Sequence, residues 1–99
     1  MKSNFWKNKK ILVTGGASFI GSHLVDELVS KNLEVRIVDD LSSGNLENIK
    51  HHISNKSVEF LKGDLRETRV AKKSVRGVDL IFHLAGDHGG RAYVDLHQA

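Results

Sequence analysis

Residues 12–24 read LVTGGASFIGSHL: an apolar run breaks into Gly15 and Gly16, then Ser18, then Gly21 before a second, amphipathic stretch. Glycine at a strand-to-helix turn permits positive φ and lets the backbone come close to a ligand and to the neighbouring strand. The unpaired N–H groups of the first helical turn, together with the helix dipole, then favour a phosphate anion. Such a turn also arises for purely steric reasons. What points to a ligand is Asp39, roughly twenty residues beyond at the tip of the next apolar run, where a carboxylate can accept hydrogen bonds from both hydroxyls of a ribose. The pair implies a dinucleotide, and a carboxylate at that place repels the 2′-phosphate of NADP, so NAD is favoured.

Ser18 stands where a fourth small, permissive residue is expected. If the position demands positive φ, a serine there costs about 1 to 2 kcal/mol. Its hydroxyl can instead donate to a phosphate oxygen, or it can adopt ordinary helix N-terminal geometry and cap the turn through Gly21 or nearby amides. Arg36 precedes Asp39 but, by the period of two, shares a face with Val38 and points away from residues 37 and 39, so it is not expected to clamp a phosphate.

Six histidines invite a metal reading. His51 and His52 are adjacent in a polar segment, while His83, His88 and His97 cluster near the C-terminal end. The spacing from His83 to His88 lacks helix-face logic, and no carboxylate–histidine–histidine set is apparent, so no metal is expected. There are no cysteines, which removes disulfides and thiolate zinc sites and leaves nothing to argue for an oxidising compartment; a cytoplasmic location is the default expectation.

Apolar residues make up 39% of the 99 and charged residues 27%, too balanced for a disordered tail and too polar for a membrane protein. No apolar stretch approaches the roughly 20 residues of a membrane span, and MKSNFWKNKKIL lacks the apolar segment of a signal peptide. The net charge of +3 sits mainly in Lys7 to Lys10 and Arg66 to Arg76. No aromatic residues interleave with those charges, so a nucleic-acid partner is not supported.

These groups need a scaffold, and four strand-sized apolar runs recur: Ile11 to Val13, Val35 to Val38, Val58 to Leu61, and Leu80 to Phe82 with Leu84. Near-continuous runs fit strands covered on both faces of a parallel sheet. Ile20, Leu24, Val25, Leu28 and Val29 form a helical stripe between the first two, ending at Lys31 and Asn32. A weaker helix is predicted over Glu67 to Arg76, stopped by Gly77, and a short one from Leu46 to His52. With right-handed crossovers the spatial order is 3-2-1-4: an α/β, Rossmann-like three-layer fold with a parallel sheet of four strands. Residues 1–99 are expected to form a single, incomplete domain, the first half of a doubly wound NAD-binding fold. Strand four is left as an open edge for a partner or a second copy to cover.

The runs ILVTGGASFIGSHLVDELV, VDDLSSGNLEN, VEFLKGDLRE and IFHLAGDHGG together resemble the successive landmarks of the NAD-dependent epimerase/dehydratase family, extended short-chain dehydrogenase/reductases that act on nucleotide sugars. The resemblance runs from Phe5 to Arg91. It implies that the backbone amides around Gly15, Ser18, Phe19, Ile20 and Gly21 hold a pyrophosphate and that Asp39 holds the adenosine ribose. By the same resemblance Asp64 and Leu65 contact adenine, through carboxylate and backbone respectively, and Leu84, Ala85 and Gly86 run beneath the cofactor. Ser18 departs from the family's usual glycine, and Gly86 from its usual alanine. HLAGDHGGRAYVD is similar to the loop of epimerases of the GDP-mannose 3,5-epimerase type, which implies that Gly89, Gly90 and Arg91 approach the sugar.

The family's chemistry relies on a tyrosine with a lysine four positions later. Here the only tyrosine is Tyr93 and His97 stands four positions on, directly after strand four, so no catalytic residue is assigned. The first reading is the NAD-binding N-terminal portion of a nucleotide-sugar epimerase or dehydratase, inactive alone. The alternative is a non-catalytic dinucleotide-binding module or truncated remnant.

Overall fold

The computed structural model describes residues 8–42, 44–84 and 93–96, the last four by their backbone path alone. Strand β1 spans Lys10–Thr14, helix α1 Phe19–Ser30 and strand β2 Glu34–Asp39. A 3-10 turn at Leu46–Asn48 leads into α2, Lys50–Ser54, and strand β3, Val58–Lys62. Helix α3, Thr68–Val75, and strands β4, Leu80–His83, and β5, Tyr93–Leu96, complete the order. The sheet runs β3-β2-β1-β4-β5, and the first four strands are parallel, as the apolar runs predict.

The open edge expected at strand four is a correction. β5 pairs with it antiparallel, Tyr93 opposite His83 and Leu96 opposite Leu80. YVDL carries the β-branched and aromatic residues that suit a strand.

Alternation along the strands divides the core in two. Ile11, Val13, Val35, Ile37 and Leu80 face α1 and α2 and pack with Val25, Leu28 and Ile49. Leu12, Val38 and Ile81 face the other way, towards α3, with Leu61, Leu65 and Val70 around them. A one-residue shift in register would turn both sets inside out, so the pattern fixes the pairing Leu12 with Arg36 and Ile81.

Helix α1 buries Gly21, Ser22, Val25 and Leu28, a face with helical period whose first turn carries only small residues. Those small residues let the helix start lie close to the sheet. Ile20 is therefore not in the buried stripe; it is 57% exposed, and Phe19 is 73% exposed. The helix stops at Ser30, and Asn32 takes a φ of 60°, the left-handed geometry that asparagine tolerates. Gly77, with φ of 74°, follows α3 in the same way.

Arg36 lies on the α3 side, as the period of two requires, and is buried. Its Nη1 donates to the carbonyl oxygens of Lys73, Ser74 and Arg76 at 3.1, 2.8 and 2.9 Å, and its Nε donates to Glu59 at 2.9 Å. A cation thus satisfies the orphan carbonyls where α3 ends, a favourable place for positive charge.

Candidate functional site

The carboxyl ends of the four parallel strands surround an open cleft of about 530 Å³. Gly15 and Ser18 come from the turn after β1, Asp39 and Asp40 from the end of β2, Asp64 and Leu65 from the loop after β3, and His83 and Leu84 from the end of β4. The strand order reverses between β1 and β4, which is where open α/β sheets take ligands.

Gly15 has a φ of 72°, so the turn needs glycine there. A Cβ on Gly21 would sit 2.2 Å from the Gly15 carbonyl oxygen and 2.9 Å from Gly16 Cα, both backbone atoms, so that position has no room for a side chain. Ser18 settles into the last of the geometries left open by the sequence. Its φ of −71° and ψ of 167° are ordinary, and it is the N-cap of α1. Its Oγ accepts from the Gly21 amide at 3.0 Å and donates to the Gly15 carbonyl at 2.8 Å. The hydroxyl proton is thereby engaged within the turn.

Of the first four amides of α1, Gly21 donates to the Ser18 side chain and Ser22 to the Ser18 carbonyl. The amides of Phe19 and Ile20 have no acceptor among the described residues. Two unpaired donors at the positive end of a twelve-residue helix are the local requirement for an anion site.

Asp39 is 7% exposed, and its carboxylate faces both ways. Oδ2 accepts from the Ala17 amide at 3.0 Å and Oδ1 from the Leu41 amide at 2.8 Å. Each oxygen keeps a further lone pair, so the group both ties the glycine turn to β2 and presents acceptor capacity to the cleft. Asp40 is held below the usual carboxylate range by the amide and hydroxyl of Ser42. Asp64 is likewise lowered, by hydrogen bonds from the Arg66 side chain and then its amide. The Arg66 guanidinium grips it at 2.7 to 3.1 Å. This rim therefore stays anionic at neutral pH, with Arg66 as its counter-charge.

At the floor, the Thr14 hydroxyl lies 2.7 Å from His83 Nδ1, and the Leu84 amide donates to both oxygens of Thr14 at 2.9 and 3.0 Å. Leu84 lines the cleft. Ala85, Gly86, Gly89, Gly90 and Arg91 lie outside the described residues. Two contributors went unread in the sequence. Gly44 packs where a Cβ would meet Asp39 Oδ2 at 2.8 Å, and the Asn48 side chain donates to the Ala17 carbonyl at 2.7 Å. The serine–glycine turn chemistry around Gly44 was the available signal.

The expectation that no carboxylate–histidine–histidine set forms is also corrected: away from the cleft, Asp26 meets His51 and His52. Linear spacing could not show it, because the carboxylate comes from α1 and the imidazoles from α2.

The profile of the NAD dependent epimerase/dehydratase family matches residues 11–97. The chain belongs to that family. The UDP-glucuronic acid decarboxylase 2 of Arabidopsis thaliana is 42% identical over 79 residues, 80% of this chain and 17% of the plant protein. The dTDP-glucose 4,6-dehydratase of Bacillus anthracis, solved in complex with NAD, superposes with a TM-score of 0.73 at 31% identity, over 80% of this family member and 27% of that chain. The UDP-glucose 4-epimerase of Thermus thermophilus, also solved with NAD, gives a TM-score of 0.67 at 38% identity, over 79% of this chain and 24% of its own. The chain thus spans about a quarter or less of the length of these relatives. Among the described residues of this epimerase/dehydratase family member, no helix is long and apolar enough to cross a membrane.

Proposed function

We propose that the chain binds NAD and is the cofactor-holding part of a nucleotide-sugar epimerase or dehydratase. The observation that carries this reading is the pair of amides, Phe19 and Ile20, without an acceptor among the described residues, at a turn where Gly15 has positive φ and Gly21 has no space for a Cβ. That cradle fits a pyrophosphate. Asp39 then takes the adenosine ribose with its remaining lone pairs, and Asp64 and Leu65 take the adenine edge. Asp39, Asp40 and Asp64 oppose a further phosphate at the ribose, which favours NAD over NADP. Leu84, with Ala85 and Gly86 after it, runs beneath the cofactor, and Gly89, Gly90 and Arg91 approach the sugar diphosphate.

When bound, NAD would supply the hydride acceptor for reversible oxidation at a sugar carbon. The residues of this chain bind, orient and select the cofactor. They include no tyrosine–lysine pair for proton transfer, since Tyr93 is the only tyrosine and His97 follows four positions on. The second reading is a dinucleotide-binding module without chemistry of its own. NAD titration followed by amide NMR separates binding from no binding: shifts at residues 15–21, 39 and 64–65 are expected, with none at residues 72–76. A spectrum that does not change overturns both readings. Turnover of a nucleotide sugar by the 99-residue chain overturns the assignment of binding without catalysis.

A further inference from the structure

We propose that Asp26, His51 and His52 form a site for one divalent transition-metal ion of the zinc class, joining α1 to α2. Two imidazole nitrogens and a carboxylate oxygen are a borderline donor set that suits such ions, whereas magnesium and calcium prefer oxygen alone.

The three groups converge on one point. His52 Nε2 lies 2.6 Å from Asp26 Oδ1 and His51 Nε2 lies 3.4 Å from the same oxygen. A full set of one ligand atom from each residue fits within 4.8 Å. Donors about 2.0 to 2.2 Å from a shared tetrahedral ion stand about 3.3 Å apart, so the two distances bracket the required separation. The site needs one carboxylate oxygen to move outward from His52 and the ligand set, which spans up to 4.8 Å, to close on the ion.

The fold holds the donors in place. Ile49 is fully buried and pins the start of α2 to the core, and His52, three residues on, falls on the same side of the helix. Its side chain is 9% exposed, while those of His51 and Asp26 are 57% and 48% exposed, which leaves coordination positions open to water. Coordination uses the Nε2 lone pair, so each neutral ring carries its proton on Nδ1 when the ion is bound. The ion replaces the histidine–aspartate hydrogen bond and clips residue 26 to residue 52. None of the three residues lines the cleft, so the site stands independently of NAD binding.

Zinc chloride titrated calorimetrically into the 99-residue chain is expected to bind with a stoichiometry of one and to raise the unfolding temperature. Asp26→Asn keeps an acceptor for His52, and His51→Ala removes an exposed ring; each is expected to weaken zinc binding by about tenfold or more while the zinc-free chain stays folded. Imidazole ¹⁵N signals of His51 and His52 should move, and those of His23, His83, His88 and His97 should not. Failure to bind one equivalent overturns the proposal. So does undiminished binding by both variants, or movement confined to the other histidines.

Discussion

The Asp39 carboxylate accepts a 3.0 Å hydrogen bond from the Ala17 amide, fastening the tip of β2 to the glycine turn after β1. On its other side, the Ala17 carbonyl accepts from the Asn45 amide at 3.0 Å and from Asn48 Nδ2 at 2.7 Å. Ala17 is fully buried and clamped at both polar groups, so the loop that faces the cleft is set before any ligand arrives.

Asn48→Ala removes the side-chain half of that clamp while the Asn45 amide remains. A loss of about 0.5 to 1.5 kcal/mol is expected in denaturant unfolding, the net value of one such bond. NAD affinity should fall as well, because the turn no longer starts in its binding geometry.

Ser18→Ala deletes the N-cap of α1 and should cost about 1 kcal/mol, whereas Ser18→Gly should cost a few tenths. Thermal unfolding distinguishes the two, since 1 kcal/mol moves Tm by about 4 to 8 °C in a domain of this size. A glycine variant more stable than the native chain would contradict the N-cap geometry.

Gly21→Ala meets backbone on two sides and cannot be relieved by rotating a side chain. Overpacking of this kind costs about 1 to 3 kcal/mol. The turn must also open, so calorimetric NAD affinity should drop more than stability alone explains.

Arg36→Met leaves the carbonyls at the end of α3 without their donor and should cost about 1.5 to 3 kcal/mol in chemical denaturation. Its partner Glu59 carries the pH dependence. The Arg36 hydrogen bond holds the Glu59 carboxyl below the usual 4.5. A lowered carboxylate stabilises the fold above 4.5, and that contribution disappears as pH falls through the lower, folded value. The stability gap between the native chain and Glu59→Gln should therefore be full at neutral pH and close in acid.

Much of this was legible in the chain itself. Four strand-sized apolar runs predict the parallel strands, the first and last of them almost continuous as burial on both faces requires, and Gly15 with Asp39 marks the cleft because both stand at strand ends. Ile20 misled, since hydropathy cannot tell that Gly21 and Ser22, not Ile20, let the helix approach the sheet. Strand β5 was hidden because four residues carry too little periodicity. The Asp26 cluster and the Arg36 cap depend on residues brought together across 25 or more positions, which no local pattern records.

In the proposed reading, cofactor selectivity rests on charge. NADP should bind about tenfold or more weakly than NAD, because its 2′-phosphate meets the Asp39 carboxylate. Asp39→Ser should narrow that ratio even as it weakens both, read from the two dissociation constants.

Isothermal titration of NAD into the 99-residue chain, with circular dichroism on the same sample to confirm the fold, tests the cleft most directly. Saturable binding of one NAD per chain, weakened by Asp39→Ala, is the predicted result. A folded chain that takes up no NAD, or an Asp39→Ala variant that binds it as tightly as the native protein, would contradict it.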